Sequence, residues 1–181
     1  MSEAEYHDRY YEARKYRLKR PCLLRPQTPE LTLPTISKFF MQSSARNQFK
    51  GSVSHISHGI ITDEIQIRTV HGVELVATIT HGSAMSLGLK EGSTVMAMIK
   101  ASSVMLVTNC EGVRFSARNQ LSGKVTQVKP GAVNTEVTLD AQGLQVVAQV
   151  TMESARSLGL SEGQRATALF KASQVILAVL P

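Results

Sequence analysis

Ser44-Ala45-Arg46-Asn47-Gln48 recurs as Ser116-Ala117-Arg118-Asn119-Gln120, and the residues that follow each copy recur with it. Gly51 answers Gly123, Glu64 answers Glu136, and Ala77-Thr78-Ile79-Thr80 answers Ala148-Gln149-Val150-Thr151. Ser83-Ala84-Met85-Ser86-Leu87-Gly88-Leu89 answers Ser154-Ala155-Arg156-Ser157-Leu158-Gly159-Leu160. Glu91-Gly92 answers Glu162-Gly163, and Lys100-Ala101-Ser102 answers Lys171-Ala172-Ser173. The offset is 72 residues from Ser44 to Ser116 and 71 from Thr80 to Thr151, which places a one-residue deletion near His71. Self-similarity of this length means two copies of one structural unit.

The pattern inside each copy is β. Gly51–Ile61 and Ile65–Val70 alternate apolar and polar residues, which is the signature of half-buried strands. Glu74–Thr80, Thr94–Ile99 and Val104–Thr108 supply three more. Ser83–Leu89, closed by Gly88 and Gly92, reads as one short helix between the third and fourth strands. The second copy keeps this order, with Val133–Leu139, Leu144–Thr151, Ala166–Phe170 and Val175–Val179. The expected fold class is therefore all-β: two tandem five-stranded barrels of the oligonucleotide/oligosaccharide-binding (OB) type, each with a short helix. Closure would remove the open sheet edges.

Ahead of the repeats, Pro21, Pro26, Pro29 and Pro34 forbid a continuous helix. The expected division is a basic tail and Pro-rich linker over 1–34, a first domain over 35–110 and a second over 111–181. Residues 5–20 read as a short exposed helix. Pro34–Met41 reads as a helical turn or two, anchored by Ile36, Phe39 and Phe40.

Composition sets the bounds. The chain has 181 residues, 43% of them apolar and 5% aromatic, so the cores must be built from Val, Ile, Leu, Ala and Met. Units of roughly 70 residues bury little apolar surface alone and gain by packing on one another or on another subunit. A homo-oligomer is expected. Cys22 and Cys110 are too few for a disulfide framework and lack metal-ligand spacing. No apolar run reaches membrane-span length, and the start has no signal-peptide character, so the expected location is the cytoplasm with no membrane partner.

The net charge is +6, and residues 1–43 carry eight Lys/Arg against five acids. Arg14, Lys15, Arg17, Lys19 and Arg20, set among tyrosines, allow weak nucleic-acid contact through phosphate neutralisation. A solvated helical tail is the simpler alternative.

The polar residues that recur without a core to serve carry the chemistry. Each repeat offers a Ser and an Arg from the Ser-Ala-Arg-Asn run, a Thr ending a strand, a Ser opening the helical turn, and a Lys-Ala-Ser triplet. Arg presents a planar fork of donors suited to tetrahedral oxyanions, and Lys a compact charge. Hydroxyls and the backbone N–H groups at the start of each helical turn add neutral donors. The set is expected to have no nearby carboxylate to repel the anion. Taken singly, each Ser or Thr reads as a turn cap and each Arg or Lys as a surface ion pair. Asn47 and Asn119 read as structural, hydrogen-bonding local backbone.

Ser-Ala-Arg-Asn-Gln with its Gly, then Leu-Gly-Leu-x-Glu-Gly, then Lys-Ala-Ser, resembles the Mop or TOBE domain of molybdate-binding proteins. Two in tandem look like the paired molybdate-binding half of molybdate-responsive transcription regulators and like small tandem-Mop molybdate binders. The resemblance covers about residues 34–181. It implies that molybdate, or the near-isosteric tungstate, is the bound ligand where subunits or domains meet, with no organic cofactor. Carried onto this chain, it implies one set of Ser44, Arg46, Thr80, Ser83, Lys100 and Ser102. The other is Ser116, Arg118, Thr151, Ser154, Arg156, Lys171 and Ser173. Met85 stands where the second repeat has Arg156, so the first set should hold the anion less tightly or lean more on Lys100. The winged helix-turn-helix of the regulators has no counterpart in the prolines and basic residues ahead of the repeats.

The functional expectation is a non-enzymatic cytoplasmic molybdate (tungstate) binder for molybdenum storage, buffering or homeostasis. The alternative is the molybdate-sensing component of a transcription regulator. Dimer and trimer both remain open. A single-strand nucleic-acid barrel would need exposed aromatics for stacking, which the repeats lack. His55, His58, His71 and His81 suggest a metal cluster, but three-residue spacing on a strand turns His55 and His58 to opposite faces. Surface histidines are expected, with no direct metal ligation by side chains. No nucleophile–His–carboxylate set and no phosphate-binding loop is legible.

Overall fold

The structure is a computed structural model and describes residues 42–180. The basic tail, the Pro-rich linker and the turn at Pro34–Met41 lie outside the described residues. The first repeat runs β1 (Asn47–Ser57), β2 (Thr62–Thr69), β3 (Glu74–Thr80), α1 (His81–Ser86), β4 (Thr94–Ile99), a 3-10 turn (Ala101–Ser103) and β5 (Met105–Val107). The second runs β6 (Asn119–Pro130), β7 (Asn134–Ala141), β8 (Leu144–Thr151), α2 (Met152–Ser157), β9 (Arg165–Phe170), a 3-10 turn (Ala172–Gln174) and β10 (Ile176–Val179).

Alternation in the sequence becomes alternation in burial. Along β2, Asp63, Ile65, Ile67 and Thr69 point inward while Thr62 and Arg68 face out. Strong curvature comes from two devices that recur. β1 carries a bulge between Val53 and His55, and β6 carries one between Val125 and Gln127. Such bulges bend and twist the strand. Gly51 and Gly123 sit just before them, where a Cβ would collide with the carbonyl of Arg68 or of Asp140 on the neighbouring strand. Only glycine allows that approach.

The missing residue is visible as a change of turn. In the second repeat Gln142 and Gly143 both take positive φ, 58° and 85°, giving a two-residue hairpin between Ala141 and Leu144. This is the turn whose twist suits paired strands. In the first repeat Val70-His71-Gly72 form a three-residue loop, with Gly72 at φ 79° and Thr69 N–H bonded to Val73 O at 2.9 Å.

Both helices start at His81 and Met152, two residues before the expected serine, because Thr80 and Thr151 act as N-caps. They end in Schellman motifs. Gly88 N–H donates to Met85 O and Leu89 N–H to Ala84 O; Gly159 and Leu160 repeat this onto Arg156 and Ala155. The Leu-Gly-Leu signature is a helix stop.

The principal departure from expectation is in strand order. The sheets run β10-β4-β1-β2-β3 and β5-β9-β6-β7-β8. Five strands per sheet is as expected, but the last strand of each repeat completes the other repeat's sheet. Leu177 pairs with Ala97, and Leu106 with Ala168. The sheets curl as half-barrels whose edge strands, β10 and β3 in one and β5 and β8 in the other, share no ladder. One apolar cluster, from Phe49 to Leu177, runs through both repeats.

Candidate functional site

The Ser-Ala-Arg-Asn-Gln run leads into the first strand of each repeat and is held from three directions. Gln48 Nε2 donates to Ala45 O at 3.0 Å and Gln120 Nε2 to Ala117 O at 2.9 Å, fixing the turn that carries each arginine. Asn47 is buried and does not bond only local backbone, as expected, but reaches the other repeat. Its Nδ2 donates to Val147 O at 2.8 Å, and its Oδ1 accepts from Val147 N–H at 2.7 Å. Asn119 does the same with Val76, at 2.8 Å in both directions.

The arginines follow the asparagines across. Arg46 meets Glu136 at 2.7 Å, and Arg118 meets Glu64 at 2.8 Å. The expectation of a donor set without neighbouring carboxylates is corrected: each arginine is engaged by a half-buried glutamate of the opposite repeat. The recurrence of Glu64 as Glu136 was the signal available in the sequence.

Each Lys-Ala-Ser triplet follows the fourth strand. The β1–β4 ladder pairs Asn47 with Ile99, so Arg46 and Lys100 leave neighbouring strands at the same end. Asn119 pairs with Phe170, which sets Arg118 beside Lys171 in the same way. The 3-10 turn holding Ser102 packs on β8, and the turn holding Ser173 packs on β3. The two turns touch through Ser103 Oγ, which donates to Gln174 Oε1 at 3.1 Å. Among the described residues Lys100, Lys171 and Arg156 enter no ion pair.

At the end of β3, Thr80 Oγ1 accepts from Ser83 N–H at 3.1 Å and lies 2.7 Å from Ser83 Oγ. At the end of β8, Thr151 Oγ1 accepts from Ser154 N–H at 3.0 Å and donates to Ser154 Oγ at 2.8 Å. The capping role is therefore real. It leaves the Ser154 hydroxyl proton available to an outside acceptor.

Within one chain, each Arg–Lys edge faces the other repeat. Ser44, Arg46, Lys100 and Ser102 lie toward Thr151, Ser154 and Arg156, because Arg46 pairs with Glu136, two residues beyond Asn134, the ladder partner of Thr151. Ser116, Arg118, Lys171 and Ser173 lie toward Thr80, Ser83 and Met85, because Arg118 pairs with Glu64, two residues beyond Thr62, the ladder partner of Thr80. The arginine of each repeat thus engages the hairpin that leads into the other repeat's capped helix. A surface cavity of about 610 Å³ beside Cys110, Lys124 and Arg165 includes none of these residues.

The TOBE domain profile matches residues 43–106 and again 116–177. The chain belongs to the TOBE-domain family. The chain is 42% identical over 152 residues to molybdenum-pterin-binding protein MopA of Rhodobacter capsulatus, covering 83% of this chain and 57% of that one. It is 46% identical over 140 residues to molybdenum transport protein ModE of Azotobacter vinelandii, covering 77% of this chain and 52% of that one. The chain thus spans about half the length of these curated relatives. A solved structure of the cytoplasmic molybdate-binding protein ModG, with molybdate bound, superposes with a TM-score of 0.75 at 46% identity, covering 77% of this chain and 100% of that one. The tandem TOBE architecture is shared with these proteins.

One cluster in the first TOBE domain gathers His58 and His81, which the sequence suggested as surface histidines, around Asp63, which it did not single out. Asp63 is fully buried and its carboxylate faces His58 Nδ1 at 3.0 Å, His81 Nδ1 at 3.1 Å and Gly59 N–H at 3.1 Å. Burial alone would raise its pKa; the hydrogen bonds of His81, Gly59 and His58 and the charge of His81 outweigh burial and hold it below the ordinary value. His55 bonds Glu91 at 2.9 Å, and His58 lies just past the end of β1, so strand alternation does not relate the two.

Proposed function

We propose that the two TOBE domains bind molybdate, or tungstate, in two groups of donors that each draw on both repeats. The observation that supports this most directly is the repeated placement of an Arg–Lys edge from one repeat toward the Thr–Ser cap of the other. In one group Arg46 and Lys100 supply charge, Ser44, Ser102, Thr151 and Ser154 supply hydroxyl donors, and Arg156 adds a second guanidinium. In the other, Arg118 and Lys171 supply charge and Ser116, Ser173, Thr80 and Ser83 the hydroxyls, with Met85 in place of the extra arginine. Charge-assisted hydrogen bonds from planar guanidinium and neutral hydroxyl donors suit a tetrahedral dianion.

The protein acts as a non-catalytic cytoplasmic binder serving molybdenum storage, buffering or homeostasis, and assembles as a homo-oligomer. The name and bound ligand of ModG support the binding and the compartment. Relatives named ModE favour a second reading, in which the chain is the molybdate-sensing part of a transcription regulator.

Thermal unfolding with molybdate, tungstate, sulfate and phosphate added separately tests the proposal. A shift with the first two and none with sulfate is expected, since a ligand that binds only the folded state stabilises it by mass action. Equal small shifts with all four would sink it. Molybdate-dependent retention on DNA at low salt would favour the sensing reading.

A further inference from the structure

His58, Asp63 and His81 are a feature the second repeat does not copy. The corresponding positions there hold Pro130, Thr135 and Met152, and Thr135 keeps the burial of Asp63 without its charge. The same hairpin and the same helix start form in both repeats, so the fold does not require the trio. A fully buried carboxylate between two imidazoles calls for a different explanation.

The geometry supplies one. Candidate ligand atoms of the three side chains all lie within 4.8 Å of one another. The Nδ1 atoms approach the carboxylate at 3.0–3.1 Å, and the rings stand nearly perpendicular at 85° with centroids 5.8 Å apart. Ligand bonds of about 2.0–2.2 Å in a tetrahedron give neighbouring donors roughly 3.3–3.5 Å apart, close to this spacing. Both Nδ1 atoms face the carboxylate, and a cation there displaces the proton they share with it, because a metal-ligating imidazole is neutral. The Asp63 carboxylate is already held by Gly59 N–H at 3.1 Å, the kind of outer support that orients a metal ligand. His58 and His81 side chains are 64% and 42% exposed, so a cation can reach them from solvent.

We propose that His58, Asp63 and His81 form a binding site for a borderline divalent cation of the zinc class, with imidazole and carboxylate ligands and one open position. Such a cation ties the β1–β2 loop to the start of α1, where His81 N–H already bonds Ile61 O at 2.9 Å. The mixed nitrogen and oxygen donors favour zinc, cobalt or nickel over magnesium or calcium.

The full chain, stripped with a chelator, is titrated with zinc chloride against a chromophoric competitor, and separately with cobalt chloride while visible absorption is followed. One equivalent per chain with a tetrahedral cobalt spectrum is expected. His58→Gln and His81→Met, both at partly exposed side chains, should each weaken zinc binding by about 100-fold, the upper end of what even an outer partner is worth. His55→Gln should leave it unchanged. Thermal unfolding without metal checks that each variant is folded. No stoichiometric binding by the native chain, unchanged affinity in both variants, or an equal loss in His55→Gln would each overturn the assignment.

Discussion

The side-chain amide of Asn47 closes a two-bond ring with the backbone of Val147, one hundred residues along the chain, and Asn119 closes the same ring with Val76. Each amide stands in for a strand residue, satisfying one N–H and one C=O that the ladder of the opposite sheet leaves open. Two such rings, with Arg46–Glu136 and Arg118–Glu64 beside them, make a reciprocal clasp between the repeats.

Truncating the clasp should therefore cost stability out of proportion to its size. Asn47→Ala leaves two backbone groups without partners, and each is worth about 1–3 kcal/mol when orphaned in a buried setting. Urea unfolding of Asn47→Ala and Asn119→Ala should give losses of at least about 2 kcal/mol each. A loss below about 0.5 kcal/mol, the scale of a neutral surface change, would show that water replaces the amide.

The glutamates compete with the proposed anion for the arginines. Glu136→Gln and Glu64→Gln remove a negative charge from each donor group and release the guanidinium. Molybdate affinity by calorimetric titration should rise roughly three- to tenfold, the scale of one unit charge a few ångströms away in a water-like dielectric. Weaker binding would mean that the glutamates hold Arg46 and Arg118 in the productive orientation instead.

Met85 and Arg156 should make the two groups unequal. Both side chains are exposed on their helices, and only one carries charge. A molybdate titration should resolve two classes of site, and Arg156→Met should merge them by weakening the tighter one about tenfold, as expected for losing one charge-assisted hydrogen bond. Met85→Arg should merge them from the other side. Identical sites in the native chain would contradict the assignment of Arg156.

Strand exchange makes the repeats one folding unit. Leu177 is buried, 7% exposed, in the sheet of the first repeat, although it belongs to the second. Leu177→Ala should cost about 2–4 kcal/mol. Scanning calorimetry should show a single transition that moves down as a whole, with calorimetric and van't Hoff enthalpies in agreement. Two resolved transitions, of which only one moves, would mean that the sheets fold separately.

The repeat, the strands and the glycine-closed helices were legible because each rests on local pattern: alternation from Ile65 to Thr69, or Leu-Gly-Leu after an amphipathic turn. The exchange of β5 and β10 was not. Met105-Leu106-Val107 presents the same alternation whether it pairs with β4 or β9, and near-identical repeats offer it two equivalent partners. Asn47 and Asn119 were recognised as structural, but no local pattern says that a side chain will find Val147 or Val76. The candidate donors were legible as types, but the glutamate that each arginine meets was not, because that partner lies in the other repeat. Asp63 was missed for a related reason: its histidines come from separate elements, and one acid at the start of an alternating strand looks like a surface charge until the fold buries it.

The crossed strands also bear on concentration. Were the repeats separate chains, the exchange of β5 and β10 would be a bimolecular encounter, lost on dilution. Joined through residues 108–118, the two halves meet at the effective concentration of a short tether, of millimolar order. The clasp that sets Asn47 on Val147 and Arg46 on Glu136 is thus available at any abundance of the protein, before any second chain arrives.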